Sequence, residues 1–324
     1  MNSIPQAIQI AKDTIHLESN AIRELEATIQ SDAFTGLLHL ATEKPRRFVF
    51  TGIGKSAIIA QKIVATFNST GTPAVFLHAA DAVHGDLGLV MQDDIMCILS
   101  KSGETPEIRL LVSLVKDRGI KLVAFTAVAD SFLGLSSHLT LITPVSKEAD
   151  PYNLAPTTSS TVQLALGDAL AMAIMHLKGF NEKDFARFHP GGALGKQLFL
   201  TVQDLYIRYE KPQVRKEATI REVIYEITSK RLGAAVVQSD QFQVTGIITD
   251  GDLRRMMQNH VTFDHLTAED IMTVNPKCIQ KNALAAEALQ LMKQYAITQL
   301  PAVDHDGTYL GIVHLHDILK EGII

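Results

Sequence analysis

Two runs carry the residue types for phosphate chemistry: Thr51-Gly52-Ile53-Gly54-Lys55-Ser56 and, further on, Ser100-Lys101-Ser102-Gly103-Glu104-Thr105. Each directly follows a short apolar run, Phe48-Val49-Phe50 and Ile95-Met96-Cys97-Ile98-Leu99, so each reads as a loop leaving a parallel strand and entering a helix. Free backbone amides and the helix dipole converge at such a helix start, and together with hydroxyls they bind phosphate. Two such loops on neighbouring strands point to one phosphorylated small molecule held across the strand ends.

Commoner nucleotide signatures fit less well. A Walker loop needs a glycine five positions before Gly54, where Val49 stands inside the strand. The dinucleotide pattern is formally met by Gly52, Gly54 and Ala57, yet the second strand ends at His78, where an acidic residue should grip the ribose. A tight strand-to-helix turn that binds nothing is the plain alternative. In the second run, Ser102 or Thr105 is the expected helix cap. Glu104 and Glu107 fall in the first helical turn, where the dipole favours a carboxylate for structural reasons alone. Glu104 reads as structural, and Glu107 is left open.

Three further positions stand out. His84, in His84-Gly85-Asp86-Leu87-Gly88, occupies a glycine-punctuated loop at the edge where α/β ligands bind. His78 reads as the end of a strand, although with His84 and Asp81 it could also hold adventitious zinc, not an obligatory metal. Glu148, in Lys147-Glu148-Ala149-Asp150, follows the fifth strand and points toward the same edge, with a surface charge cluster as its alternative.

The elements that must position these residues follow from periodicity. Apolar residues recur at helical spacing over 3–30, and positions 1–45 offer one amphipathic helix. Short strands over 46–50, 74–78, 95–100, 121–126 and 139–144 alternate with helical segments such as 55–70 and 105–118. That alternation predicts an α/β fold, a doubly wound parallel sheet with helices on both faces. Residues 156–178 predict a long helix capped by the hydroxyls of Thr157-Thr158-Ser159-Ser160. The glycine- and proline-rich segment 181–203 predicts an ordered loop extending this domain.

Beyond it lies a repeat. Asp204-Leu205 recurs as Asp270-Ile271, and Gly246-Ile247-Ile248-Thr249 with Asp252-Leu253 recurs as Gly311-Ile312-Val313-His314 with Asp317-Ile318. Each copy reads as a helix and two short strands, 234–238 and 300–304 being the first of each pair, and two such units stack to bury a shared face. The expected domains are 1–203, 204–265 and 266–324.

Bulk properties agree with small-molecule work. A chain of 324 residues suits two or three units, and a net charge of −5 gives no footprint for nucleic acid or an anionic membrane. The apolar stretch 164–177 carries Asp168 and His176 and predicts a buried core helix rather than a span. No secretory pattern opens the chain, and Cys97 and Cys278 read as buried thiols, so a cytoplasmic location is expected.

With these residues assembled, the first two hundred positions resemble the sugar isomerase (SIS) domain, and within it the arabinose-5-phosphate isomerase family. The resemblance rests on the two phosphate runs, Thr70-Gly71-Thr72-Pro73, the His84 loop, Lys147-Glu148-Ala149, Leu154-Ala155-Pro156-Thr157 and His189-Pro190-Gly191-Gly192-Ala193-Leu194-Gly195. The repeat resembles a tandem pair of cystathionine-β-synthase-type (CBS) motifs, with segment 204–213 matching poorly. The resemblance implies interconversion of D-ribulose 5-phosphate and D-arabinose 5-phosphate, feeding 3-deoxy-D-manno-octulosonate for lipopolysaccharide or capsule. It maps functional positions onto Lys55, His84, Glu107, Glu148 and His189, and implies a homotetramer with sites between subunits. One departure is Lys101, which replaces the usual asparagine and adds charge near the phosphate.

Such an isomerase must move a proton between adjacent carbons. Glu148 is the first choice of base, its pKa expected to rise on desolvation, with Glu107 as the other base or as an orienting group. Lys55 would offset developing charge, and His189 and His84 compete to pass a proton between oxygens or open the sugar ring. Gly54, Ser56, Ser100, Ser102 and Thr105, with Gly71 and Thr72 nearby, would hold the phosphate. No cofactor is required. In the repeat, Thr249 and Asp252 match the pattern that grips a nucleotide, whereas the second copy has His314 in place of the threonine. A hexulose-phosphate isomerase and a non-catalytic SIS sensor are the alternatives. The first usually lacks the CBS pair, and the second carries a basic helix-turn-helix.

Overall fold

The computed structural model describes residues 3–259 and 262–324. Two compact units divide between Phe188 and His189.

The first unit opens with α1 (Ile4–Ile29), started by a Ser3–Gln6 capping box, and α2 (Asp32–Thr42). The expected single helix over 1–45 is therefore two. Ser31 makes the break, because its side chain turns back to accept from the Phe34 amide and starts a second helix. The α/β alternation follows as β1 (Phe48–Gly52), α3 (Lys55–Ser69), β2 (Ala74–His78), α4 (Ala79–Ala82), a 3₁₀ turn (Asp86–Leu89), β3 (Ile95–Leu99), α5 (Pro106–Asp117), β4 (Lys121–Thr126), α6 (Phe132–Ser136), β5 (Leu139–Ile142), α7 (Thr158–Leu177) and α8 (Glu182–Phe188).

The five strands are parallel in the order β2-β1-β3-β4-β5. The sheet is doubly wound, as expected. Phe48 and Phe50 face one layer with Phe67 and Leu166, while Val49 faces the other with Met96, Ile98 and Leu111. Alternate residues of one strand thus feed two cores, and each fully buried side chain of this size contributes about 1.5–3 kcal/mol. Phe67 meets Phe50 edge-on at 4.9 Å between ring centres. The apolar helix α7 belongs to this first core: a Cβ at Gly167 would stand 2.3 Å from Ile63 Cδ1, so only glycine lets α3 and α7 approach this closely.

Strand bounds differ in two informative places. β1 runs on through Thr51 and Gly52, which pair with Leu77 and His78 on one side and Ile98 and Leu99 on the other. β5 stops at Ile142, two residues before Pro144, which lacks an amide.

The second unit opens with the loop His189–Gly192, within a segment expected to be loop throughout. α8 ends before this loop, and α9 (Ala193–Phe199) follows it. The glycines confine the irregularity to four residues, since Ala193, Leu194 and the residues up to Phe199 are ordinary helix formers. Next come α10 (Val202–Tyr206), β6 (Gln213–Arg215), α11 (Ile220–Lys230), β7 (Ala234–Gln238), β8 (Val244–Thr249), α12 (Asp250–Asn259), α13 (Ala268–Ile271), β9 (Thr273–Val274), β10 (Ile279–Gln280), α14 (Ala285–Tyr295), β11 (Gln299–Val303), β12 (Tyr309–His314) and α15 (Leu315–Lys320). They build two small sheets, β6-β7-β8-β9 and β10-β11-β12.

The repeat is cross-packed. α10, which opens the first copy, lays Val202 and Leu205 into the core of the second with Ala288, Leu300 and Val313. α13, which opens the second copy, puts Ala268 into the core of the first with Val223 and Ile248. The paired glycines make room for this exchange: a Cβ at Gly246 would meet Met272 Sδ at 2.4 Å, and one at Gly311 would meet Tyr206 Cδ2 at 2.9 Å. The equivalent Thr201–Asp204 and Thr267–Asp270 capping pairs start both helices.

Candidate active site

In a sheet of order 2-1-3-4-5, the connections leaving β1 and β3 depart to opposite faces, and a crevice opens between those strands at their carboxyl ends. Gly52 pairs with Leu99 at this edge, so the two phosphate runs flank the crevice. The turn after β1 is built on glycine. A Cβ at Gly52 would stand 2.9 Å from the Ser56 carbonyl carbon and 3.1 Å from Leu99 O, and Gly54 adopts φ +57° as the residue before α3. No side chain caps α3, and the amides of Lys55 and Ser56, its first two residues, have no carbonyl within the helix to bond. The Lys55 side chain is exposed.

The turn after β3 is held from within. Ser100 Oγ accepts from the Gly103 amide at 3.1 Å, and Ser102 Oγ accepts from the Glu104 amide at 3.3 Å. The Lys101 carbonyl accepts from the Ala127 amide at 3.0 Å and the Thr126 hydroxyl at 3.2 Å, pinning the loop to the end of β4. Gly103, at φ +67°, packs so closely on Ser131 that a Cβ would lie 2.3 Å from its Oγ. Thr105 precedes α5 at the N-cap position, but its hydroxyl makes no cap bond and is buried without a partner. Glu104 is structural, accepting from the Phe132 amide at 2.6 Å and pairing with Arg109 at 2.6 Å. Glu107 is exposed in the first turn of α5.

Glu148 is the most elaborately held group at this edge. It follows β5 and is 2 % exposed. Its Oε2 accepts from the amides of Thr157 (2.9 Å) and Ser159 (3.1 Å), and its Oε1 accepts from Lys101 Nζ at 2.8 Å. Its own amide donates to Asn153 Oδ1 at 2.6 Å, with Asn153 at φ +57°. Two expectations change here. A carboxylate, rather than the threonine and serine hydroxyls, satisfies the first turn of α7, because it matches the positive end of the helix dipole. The pKa also moves the other way: burial pushes the Glu148 carboxyl up, but hydrogen bonds from Lys101, Ser159 and Thr157 outweigh it and hold the group below its ordinary value. Lys101, whose charge was expected near the phosphate, spends it on Glu148.

The remaining candidates divide. His84 lies exposed in the loop beyond α4, reached from the carboxyl end of β2, and so belongs to the same edge. His78 ends β2 with Nδ1 at 3.9 Å from Asp81 Oδ2, and among the described residues no group of three metal-ligating side chains forms around it. Gly71 and Thr72 do not join the crevice within one subunit. They precede β2 and so stand at the amino edge of the sheet, where Thr72 accepts from Lys178 Nζ at 3.0 Å and a Cβ at Gly71 would clash with Phe180 at 2.6 Å. The sequence placed them by motif, and the direction of the strand decides otherwise. His189 opens the second unit, where its carbonyl accepts from the Gly192 amide at 3.1 Å. Nothing in the sequence signalled the Lys101–Glu148 pair, which needs the loops after β3 and β5 to meet across β4. Asn153, a residue type that tolerates positive φ, was the readable signal for the tight loop that turns Glu148 inward.

In the second unit, Asp252 is buried and already engaged. Its Oδ2 accepts from the Thr249 amide (2.8 Å) and hydroxyl (2.6 Å), and its Oδ1 pairs with Arg255. Both residues line a cavity of about 650 Å³ with Lys277, Tyr295 and Pro301. The matching cavity of the other copy, about 670 Å³, presents His314, His316, Asp317 and Arg231 instead.

The fold and these sites define a SIS-domain protein with a tandem CBS pair. The SIS family model matches residues 41–173, and the CBS model matches 202–259 and 268–323, so the first copy is recognised from its cross-packed helix onward. The chain belongs to the arabinose-5-phosphate isomerase family. It is 42% identical over 318 residues to arabinose 5-phosphate isomerase KdsD of Pseudomonas aeruginosa, spanning 98% of this chain and 97% of that one. The KdsD protein of Francisella tularensis is 41% identical, spanning 98% of both. Among solved structures, an Escherichia coli CFT073 protein in complex with A5P is 42% identical with a TM-score of 0.54, covering 58% of this chain and 100% of that one.

Proposed function

We propose that this enzyme interconverts D-arabinose 5-phosphate and D-ribulose 5-phosphate through an enediol, with Glu148 as the base. The observation that carries the assignment of the base is the buried Glu148 carboxylate, at the edge where both phosphate-type loops emerge. The relatives' name and the A5P-bound structure support the substrate.

In the forward step, Glu148 takes the proton from C2 of the open aldose. The C–H electron pair becomes the C1–C2 double bond, and the aldehyde oxygen takes up negative charge. A proton then passes between the two oxygens, with His84 or His189 as carrier. Glu148 returns its proton to C1, leaving the ketose. A carboxylate with a low pKa is a weaker base than one poised near neutrality, but it is fully ionised at physiological pH. Lys55 offsets the enediolate charge, and Glu107 orients the sugar hydroxyls or serves as the base if Glu148 does not. Ser56, Ser100, Ser102, Thr105 and the amides at the start of α3 hold the phosphate and set the register of the reacting carbons. The unpaired Thr105 hydroxyl gains a partner if the turn opens to an anion.

The working assembly is a homotetramer in the cytoplasm, its product directed to 3-deoxy-D-manno-octulosonate. Self-association is supported by the exposed isoleucine stripe of α1, where Ile4, Ile8, Ile15 and Ile22 recur at near-heptad spacing with 40–78 % of their surface open. The CBS pair takes a regulatory role, with a nucleotide at Thr249 and Asp252.

One assay tests the activity: isomerisation of arabinose 5-phosphate against ribose 5-phosphate and hexose phosphates, with and without EDTA. Preference for arabinose 5-phosphate, unaffected by EDTA, is expected. Faster turnover of a hexose phosphate would assign the chain to a sibling reaction.

A further inference from the structure

We propose that Lys101 is a positioning residue of the isomerase, holding the proton-accepting oxygen of Glu148 ionised and aimed until substrate arrives. The inference rests on the reading of Glu148 as the base and goes beyond it by assigning a second residue.

The geometry separates the two carboxylate oxygens. Oε2 is spent on α7, accepting from the Thr157 and Ser159 amides, so it cannot take up a proton without breaking the start of that helix. Oε1 is the oxygen left for chemistry, and Lys101 Nζ stands 2.8 Å from it. The Lys101 backbone is anchored by Ala127 and Thr126, so the ammonium is delivered from a fixed point. Its side chain is 40 % exposed and can withdraw, whereas that of Glu148 is 2 % exposed and cannot.

Other charges near Glu148 do not substitute for Lys101. On its own loop, Lys147 is exposed, and Asp150 spends its carboxylate on the amides of Tyr152, Leu154 and Ala155. The first turn of α7 carries no acidic side chain and presents amides and hydroxyls. When Oε1 takes the C2 proton, the carboxyl becomes neutral and the Lys101 ammonium loses its counter-charge as negative charge appears on the enediolate. The ion pair of the resting site therefore becomes an unbalanced cation in the transition state, where it is stabilising.

The test is the pH dependence of kcat/KM for arabinose 5-phosphate in the intact enzyme, comparing wild type with Lys101→Met, Lys101→Arg and Glu148→Gln. Removing an opposite charge at this distance from a buried carboxylate raises its pKa, so the acid limb of Lys101→Met should move up by about one pH unit or more. Lys101→Arg should restore the limb toward its wild-type position. An acid limb unmoved in a folded Lys101→Met enzyme, while Glu148→Gln is inactive, would overturn the role of Lys101 and leave Glu148 as the base. Full activity in Glu148→Gln would overturn the reading of the site itself.

Discussion

Glu148 Oε2 lies 2.9 Å from the amide of Thr157, so the proposed base is also the cap of α7, a 20-residue helix packed in the core of the sheet domain. One side chain serves stability through one oxygen and, as the proposed base, leaves the other for chemistry. Because its pKa is lowered on folding, Glu148 contributes stability that is fully present above the ordinary carboxylate range and is lost as pH falls through the folded value. Glu148→Gln should therefore lower the melting temperature at pH 7, by an amount corresponding to about 1 kcal/mol for the cap. The difference from wild type should shrink in acid. A constant difference down to strongly acidic pH would show that the carboxylate charge adds nothing to folding.

Ser56, in the first turn of α3, and Ser102, in the turn after β3, flank the β1/β3 crevice. Replacing either by alanine removes a hydroxyl from the proposed phosphate site and leaves Glu148 in place, so KM for arabinose 5-phosphate should rise about tenfold or more, for a bond to a charged group. kcat should fall less. Steady-state kinetics with the phosphorylated sugar check this, and an unchanged KM in both variants would move the phosphate elsewhere.

Gly52 is fixed by close approach. A Cβ there would press on the Ser56 carbonyl carbon and Leu99 O, both backbone atoms that cannot swing aside. Gly52→Ala should destabilise the domain by about 1–3 kcal/mol and displace the α3 start from the crevice. Denaturant unfolding and substrate titration read the two effects separately.

The cross-packed repeat predicts a compensating pair. Gly246→Ala drives a methyl into Met272 and should destabilise the second unit, whereas adding Met272→Ala should recover part of the loss. Thermal unfolding of the four chains of this cycle measures the coupling. Simple additivity would contradict the packing.

The sheet domain was legible because its strands are apolar on both faces and its loops carry glycine where the backbone turns. β2 and β4 fall on their expected residues, and the repeat was visible in Gly246 and Gly311 before the cross-packing explained why glycine stands there. What could not be read depends on chain direction and on distant partners. Gly71 and Thr72 look like phosphate ligands in the sequence but stand at the amino edge. Thr157 and Ser159 look like caps, yet a carboxylate nearly ten residues earlier takes their amides, and the Thr157 hydroxyl accepts from the Ala149 amide instead of capping the helix. The direction of the Glu148 pKa shift followed the same rule: desolvation was expected, and the hydrogen bonds from Lys101, Ser159 and Thr157 that overcome it were not.

Glu148 is proposed to carry a proton between C1 and C2 of the sugar. The most direct measurement is the uptake of deuterium from heavy water at C2 of arabinose 5-phosphate and C1 of ribulose 5-phosphate, followed by NMR with wild-type enzyme and Glu148→Gln. In the wild type, deuterium should enter whenever the Glu148 carboxyl trades its proton with solvent before returning it to carbon. In the variant this exchange should be slowed at least a hundredfold, while the variant still binds arabinose 5-phosphate. Exchange at the wild-type rate in Glu148→Gln would rule Glu148 out as the base.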